Sequence, residues 1–82
     1  MTMQLLVQVE TSDPEGWKAG FDRDAENRGQ AGLTLLQLWH GADSRGTIVA
    51  LFEVHDRDRA QGWLDKAAGL GRPMTATFLR TA

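Results

Sequence analysis

The residues of this 82-residue chain whose chemistry reaches beyond packing are His40, His55, Trp17, Trp39, Trp63, Phe21 and Glu53. Imidazole is the side chain whose ordinary titration lies nearest neutrality, so His40 and His55 can each serve as a general base. Both fall at the ends of expected strands, where a side chain reaches a pocket mouth. No serine or aspartate stands at a spacing that reads as a nucleophile-base set, and the plainer role for either histidine singly is a hydrogen bond to loop or cap groups. Trp17, Phe21 and Trp63 lie on the inner stripes of two expected helices. They either wall a site for an aromatic ligand or simply fill the core. Trp39 can join them from the second strand or lie instead at a seam between two copies of the chain. Glu53 reads as a buried acid or, preferably, as the partner across a dimer of an arginine such as Arg80.

The elements that must position these residues follow from periodicity. Leu5, Val7 and Val9 alternate with Gln4, Gln8 and Glu10, the pattern of a strand with one buried face. Asp13, Pro14 and Glu15 then open a helix, as cap, first-turn residue and complement to the positive helix end. Its expected inner stripe is Trp17, Phe21 and Ala25, with Gly20 and Asp24 beside it, and Gly29 and Gly32 stop it.

Leu33 to His40 and Thr47 to His55 are aliphatic-rich runs joined by a glycine-bounded loop, a hairpin. Simple alternation puts Leu33, Leu35, Gln37 and Trp39 on one face and Thr34, Leu36, Leu38 and His40 on the other, so both faces are substantially apolar. One face takes helices. The other, with Leu33, Leu35, Val49 and Leu51 or their alternates, needs a second copy of the chain. Asp56 or Asp58 caps a second helix with Ala60, Trp63, Leu64 and Ala67 inward, and Gly69 ends it. After Leu70 to Pro73, Met74 to Thr81 alternates as the last strand. The fold class is therefore α+β, ferredoxin-like βαββαβ: a four-stranded antiparallel sheet with two helices on one face, in one domain over residues 1–82.

Composition narrows the function classes. A chain of this length buries only about 60% of the surface its unfolded form exposes. With no cysteine and no Cys/His cluster at metal-ligand spacing, self-association is the ordinary remaining source of stability. Nine Lys and Arg against eleven Asp and Glu give a net charge of -2, without the basic excess that nucleic-acid binding requires. Arg45 to Phe52 begins like the strand of RNA-recognition domains, but Thr47 and Val49 stand where stacking aromatics are needed. No apolar run is long enough to span a membrane, and Met1 to Glu10 has no basic segment or cleavage site. The expectation is a soluble, cytoplasmic homodimer without nucleic-acid or membrane partners.

The run Phe52-Glu53-Val54-His55-Asp56-Arg57-Asp58-Arg59-Ala60 resembles the strand-to-helix junction of the dimeric α+β barrel superfamily, which includes the antibiotic-biosynthesis monooxygenases. Trp17 to Phe21, Ala68-Gly69-Leu70 and Pro73 extend the likeness to small uncharacterised relatives. The resemblance implies a dimer whose sheets face each other, with a ligand pocket between the sheet and helices of one subunit. It further implies a cofactor-independent monooxygenase or cyclase acting on an aromatic or polyketide-like small molecule. In that reading His55 is proton acceptor, His40 a second polar contact, and Trp17, Phe21 and Trp63 the ligand-binding walls. The alternative is a non-catalytic small-molecule-binding or assembly protein. Haem-degrading relatives use an Asn on strand one and a His on helix two, where this chain has only Gln4 and Gln8 and no His; no cofactor or metal is expected. Cyclising relatives use His and Tyr, and tyrosine is absent here. A void of several hundred Å³ reached by a His favours the enzyme, and a filled core favours the alternative.

Overall fold

The computed structural model describes residues 3–68 and 74–82. In chain order the elements are β1 (Met3–Glu10), α1 (Pro14–Arg23), α2 (Ala25–Gln30), β2 (Leu33–His40), β3 (Thr47–Val54), α3 (Arg57–Ala68) and β4 (Met74–Arg80). The strands form one antiparallel sheet in the order β2-β3-β1-β4. The helices cover one face, and this is the ferredoxin-like arrangement. The expected ending of the last helix at Gly69 and the turn from Leu70 to Pro73 lie outside the described residues. No helix among the described residues is long and apolar enough to cross a membrane.

Register decides which side chains meet the helices. Leu5, Val7 and Val9 stand opposite Phe52, Ala50 and Ile48, and Phe78, Ala76 and Met74 complete the same face. Phe52, Leu5 and Ile48 are the largest fully buried side chains. Ala60 and Leu64 close over them from α3, and Trp63 and Ala67 flank these on the stripe that the spacing predicts.

Two expectations change. The hairpin strands do not alternate simply, because a bulge shifts the register between Leu35 and Gln37. Leu33 and Leu35 pair with Val54 and Phe52 on the helix side, whereas Gln37 and Trp39 pair with Leu51 and Val49 on the open side. The open face is thus Leu6, Val49, Leu51, Trp39 and Leu79, without Leu33 or Leu35. Arg80 pairs with Met3 and so belongs to the helix side, away from Glu53.

The first helix is also two. Asp24 sits between α1 and α2 at φ -89° and ψ 6°, and its N–H is shared between Gly20 O at 3.2 Å and Phe21 O at 3.1 Å. The rotation that follows exposes Ala25 and turns Arg28 inward, to 7% exposure. The chain leaves α2 through Gly32 at φ 74°, a left-handed conformation that favours glycine. A Cβ there would press on the Asp56 backbone, while Gly32 O accepts from His55 N at 2.8 Å.

Candidate functional site

A cleft of about 960 Å³ lies between the covered face of the sheet and the helices. Its floor comes from Val7, Val9, Ile48, Ala50 and Phe52, and its walls from α1, α2 and α3. The local sequence explains why the walls are aromatic. Asp13 accepts from Gly16 N at 3.0 Å and, with Pro14, fixes the start of α1, so the four-residue spacing stacks Trp17 on Phe21 with ring centroids 4.9 Å apart. Phe52 sits 6.2 Å from Phe21 and meets Trp63 edge-on at 5.9 Å. The aromatic row therefore crosses from α1 over the sheet to α3.

One polar cluster is set into that row. Trp63 Nε1–H donates to Asp24 Oδ2 at 3.1 Å, and Asn27 Nδ2 donates to Asp24 Oδ1 at 2.7 Å. Arg28 lies with its guanidinium 3.6 Å from the Phe21 ring centroid and donates to the Phe21 carbonyl oxygen. Burial pushes the Arg28 guanidinium below its ordinary pKa, and the charges of Asp24 and Asp22 pull it back up. The break between α1 and α2 thus delivers a carboxylate, an amide and a guanidinium to the same wall.

Trp17, Phe21 and Trp63 all line the cleft, and His40 and His55 do not. The histidines are at opposite ends of the β2-β3 hairpin, His40 paired with Ile48 beside the loop and His55 just beyond Val54. His55 Nε2 is 3.0 Å from Thr34 Oγ1 and 3.7 Å from Glu53 Oε1. Thr34 and Glu53 pair with each other on the open face, so this cluster is across the sheet from the cleft. Both contacts use the same ring nitrogen, and among the described residues no carboxylate stands behind the other nitrogen as it does in a Ser-His-Asp arrangement.

Asp24, Asn27 and Arg28 were not expected as site residues. Part of their signal is present: positions 17, 21, 24 and 28 follow one helical stripe, but its polar pair, Asp24 and Arg28, is passed over when only apolar residues are counted inward. Among the described residues no group of three or more His, Cys, Asp or Glu is placed to hold a metal ion.

No protein-family model matches the chain, and no curated protein matches it. Solved structures do. A single-residue variant of SnoaB, a cofactor-independent oxygenase from Streptomyces nogalater, superposes with a TM-score of 0.72 at 17% identity, over 98% of this chain and 92% of that one. Rv0793 from Mycobacterium tuberculosis gives 0.66 at 19% identity, over 100% and 96%. A protein from Nitrosomonas europaea, provisionally assigned as an antibiotic biosynthesis monooxygenase, gives 0.60 at 16% identity, over 99% and 98%. The chain shares the fold of these three proteins along essentially its whole length.

Proposed function

We propose that the protein is a cofactor-independent oxygenase-type enzyme that binds an aromatic or polyketide-like small molecule in the cleft. The observation that carries this reading is the space of about 960 Å³ left open beside the aromatic row of Trp17, Phe21, Phe52 and Trp63. A core built only for stability fills such a space. The fold shared with SnoaB, a cofactor-independent oxygenase, supports the same class. The rings hold a flat substrate by stacking, and the Asp24 cluster orients its hydroxyl groups.

An electron-rich phenol can itself supply all four electrons that dioxygen accepts. With 1,5-dihydroxynaphthalene, a ring C–H para to a hydroxyl becomes C=O and that hydroxyl becomes the second quinone carbonyl. Dioxygen gives one atom to the product and the other to water. Oxygen uptake with quinone formation, lowered at least tenfold in Trp63→Ala or Trp17→Ala, is the expected result. No uptake by the unmodified protein with any hydroxynaphthalene would contradict the oxygenase reading.

A second reading, a non-catalytic binding protein, draws on a specific observation. Both Asp24 carboxylate oxygens already accept hydrogen bonds, and no histidine lines the cleft. Binding without oxygen uptake is its signature.

The proposal includes a homodimer in the cytoplasm, formed through the open sheet face. Leu6, Val49 and Leu51 form its half-buried centre, with Trp39 and Leu79 at 43% and 37% exposure on the outer strands. A second copy supplies a matching apolar face by symmetry. Light scattering should give twice the chain mass of 9.1 kDa.

A further inference from the structure

We infer that the cleft takes an aromatic carboxylate, its rings on the Trp63 side of the row and its acid group between Arg59 and Lys66 of α3. The inference rests on the proposed binding reading and adds the chemical class of the ligand.

Charge is the first observation. The chain carries a net charge of -2, yet the cleft lining holds three basic side chains, Arg28, Arg59 and Lys66, against one acidic one, Asp24. Asp24 is engaged by Trp63 and Asn27, and Arg28 is tucked against Phe21 beside it. The surplus is therefore on α3. Among the described residues the Arg59 side chain has a single ion pair, an exposed contact to Asp56 at 3.6 Å, and Lys66 has none. A local positive field in an acidic protein selects an anion.

Geometry is the second. Arg59, Gly62, Trp63 and Lys66 are spaced by three, one and three residues, which sets them on one stripe of α3 facing the cleft. Gly62 is in the helix interior, where glycine costs about 1 kcal/mol relative to alanine. Packing does not require it, because a Cβ added there meets nothing within 4 Å. Its effect is a gap in the stripe between the two cations, beside the Trp63 ring. A planar ring reaching Trp63 would bring a ring carboxylate into that gap.

The third is the engagement of the one acidic side chain among the described lining residues. Both oxygens of Asp24 already accept hydrogen bonds from Trp63 and Asn27, so the negative charge that matches these cations is brought by the ligand, as a carboxylic acid brings it at neutral pH.

The test uses 2-naphthoate and its neutral amide, 2-naphthamide, titrated against the intact protein by calorimetry. Naphthoate should bind about tenfold more tightly, and the margin should shrink as salt rises. Lys66→Met and Arg59→Met should each reduce naphthoate affinity about fivefold and leave naphthamide unchanged. Arg45→Met, an exposed loop cation outside the lining, should alter neither. Gly62→Leu should weaken both ligands at least tenfold without lowering the melting temperature, since it fills the gap with a better helix former. Equal binding of the two probes overturns the carboxylate assignment and leaves the cleft reading standing. Failure of both to bind overturns the two together.

Discussion

The two faces of the sheet are built from the same residue types and end in different states. On the covered face Leu5, Ile48 and Phe52 are at most 1% exposed, whereas Leu6, Val49 and Leu51, their neighbours along the same strands, stay half-buried. Alternation makes the division, but burial is completed only where helices arrive. The covered face is finished within the chain except at the cleft, whereas the open face stays half-buried or exposed and would be covered only in the proposed dimer. The candidate chemistry divides along the same line, with Asp24, Arg28, Arg59 and Lys66 at the cleft and the Thr34–His55–Glu53 cluster on the far side.

Adjacent substitutions break this comparison most sharply. Phe52→Ala should cost about 3 to 5 kcal/mol in urea unfolding, by emptying a site that is 1% exposed between Phe21 and Trp63. Leu51→Ala, one residue away on the open face, should show a loss that depends on protein concentration, because in the proposed dimer its burial would be shared between two copies. Equal, concentration-independent losses at the two positions would erase the distinction between the faces.

Next in size is Val49→Asp. An unpaired carboxylate in an apolar seam costs several kcal/mol, so the scattering mass should fall to that of one chain, 9.1 kDa. An unchanged mass would place the dimer elsewhere. Trp63→Phe is smaller. It keeps an aromatic ring near Phe52 but removes the Nε1–H donor to Asp24 together with part of the indole's packing, for about 1 to 2 kcal/mol. His55→Ala is the smallest, within about 0.5 kcal/mol, because the ring is exposed and bonded to Thr34 at the strand end. Oxygen uptake should survive it, and loss of turnover would move the reaction to the open face.

Much of this architecture was legible from period and punctuation. β2 runs from Leu33 to His40 as its composition predicts, and α3 buries Ala60 and Leu64 as the i, i+4 spacing requires. The bulge at Leu35 to Gln37 was not legible, because one unpaired residue leaves no mark on composition while moving Trp39 and Gln37 to the other face. The break at Asp24 was hidden for a related reason. Apolar counting favours Ala25 as the inward residue, but the turn at Asp24 lets Arg28 bury its guanidinium against Phe21 instead. The aromatic members of the cleft were visible as side-chain types, whereas Asp24 and Arg28, on the same stripe as Trp17 and Phe21, are passed over by apolar counting. The histidines drew attention by type alone, and neither the loop end nor the open face brings them to the cleft.

The central claim is that small molecules bind on the covered face, beside the aromatic row. The three tryptophans make it directly measurable, since Trp17 and Trp63 line the cleft and Trp39 stands on the open face. Each indole N–H gives its own proton resonance in a nitrogen-15 correlation spectrum. During titration with 2-naphthoate the Trp17 and Trp63 signals should shift together and saturate, while Trp39 stays in place. Movement of the Trp39 signal alone, or of none of the three, would contradict the account.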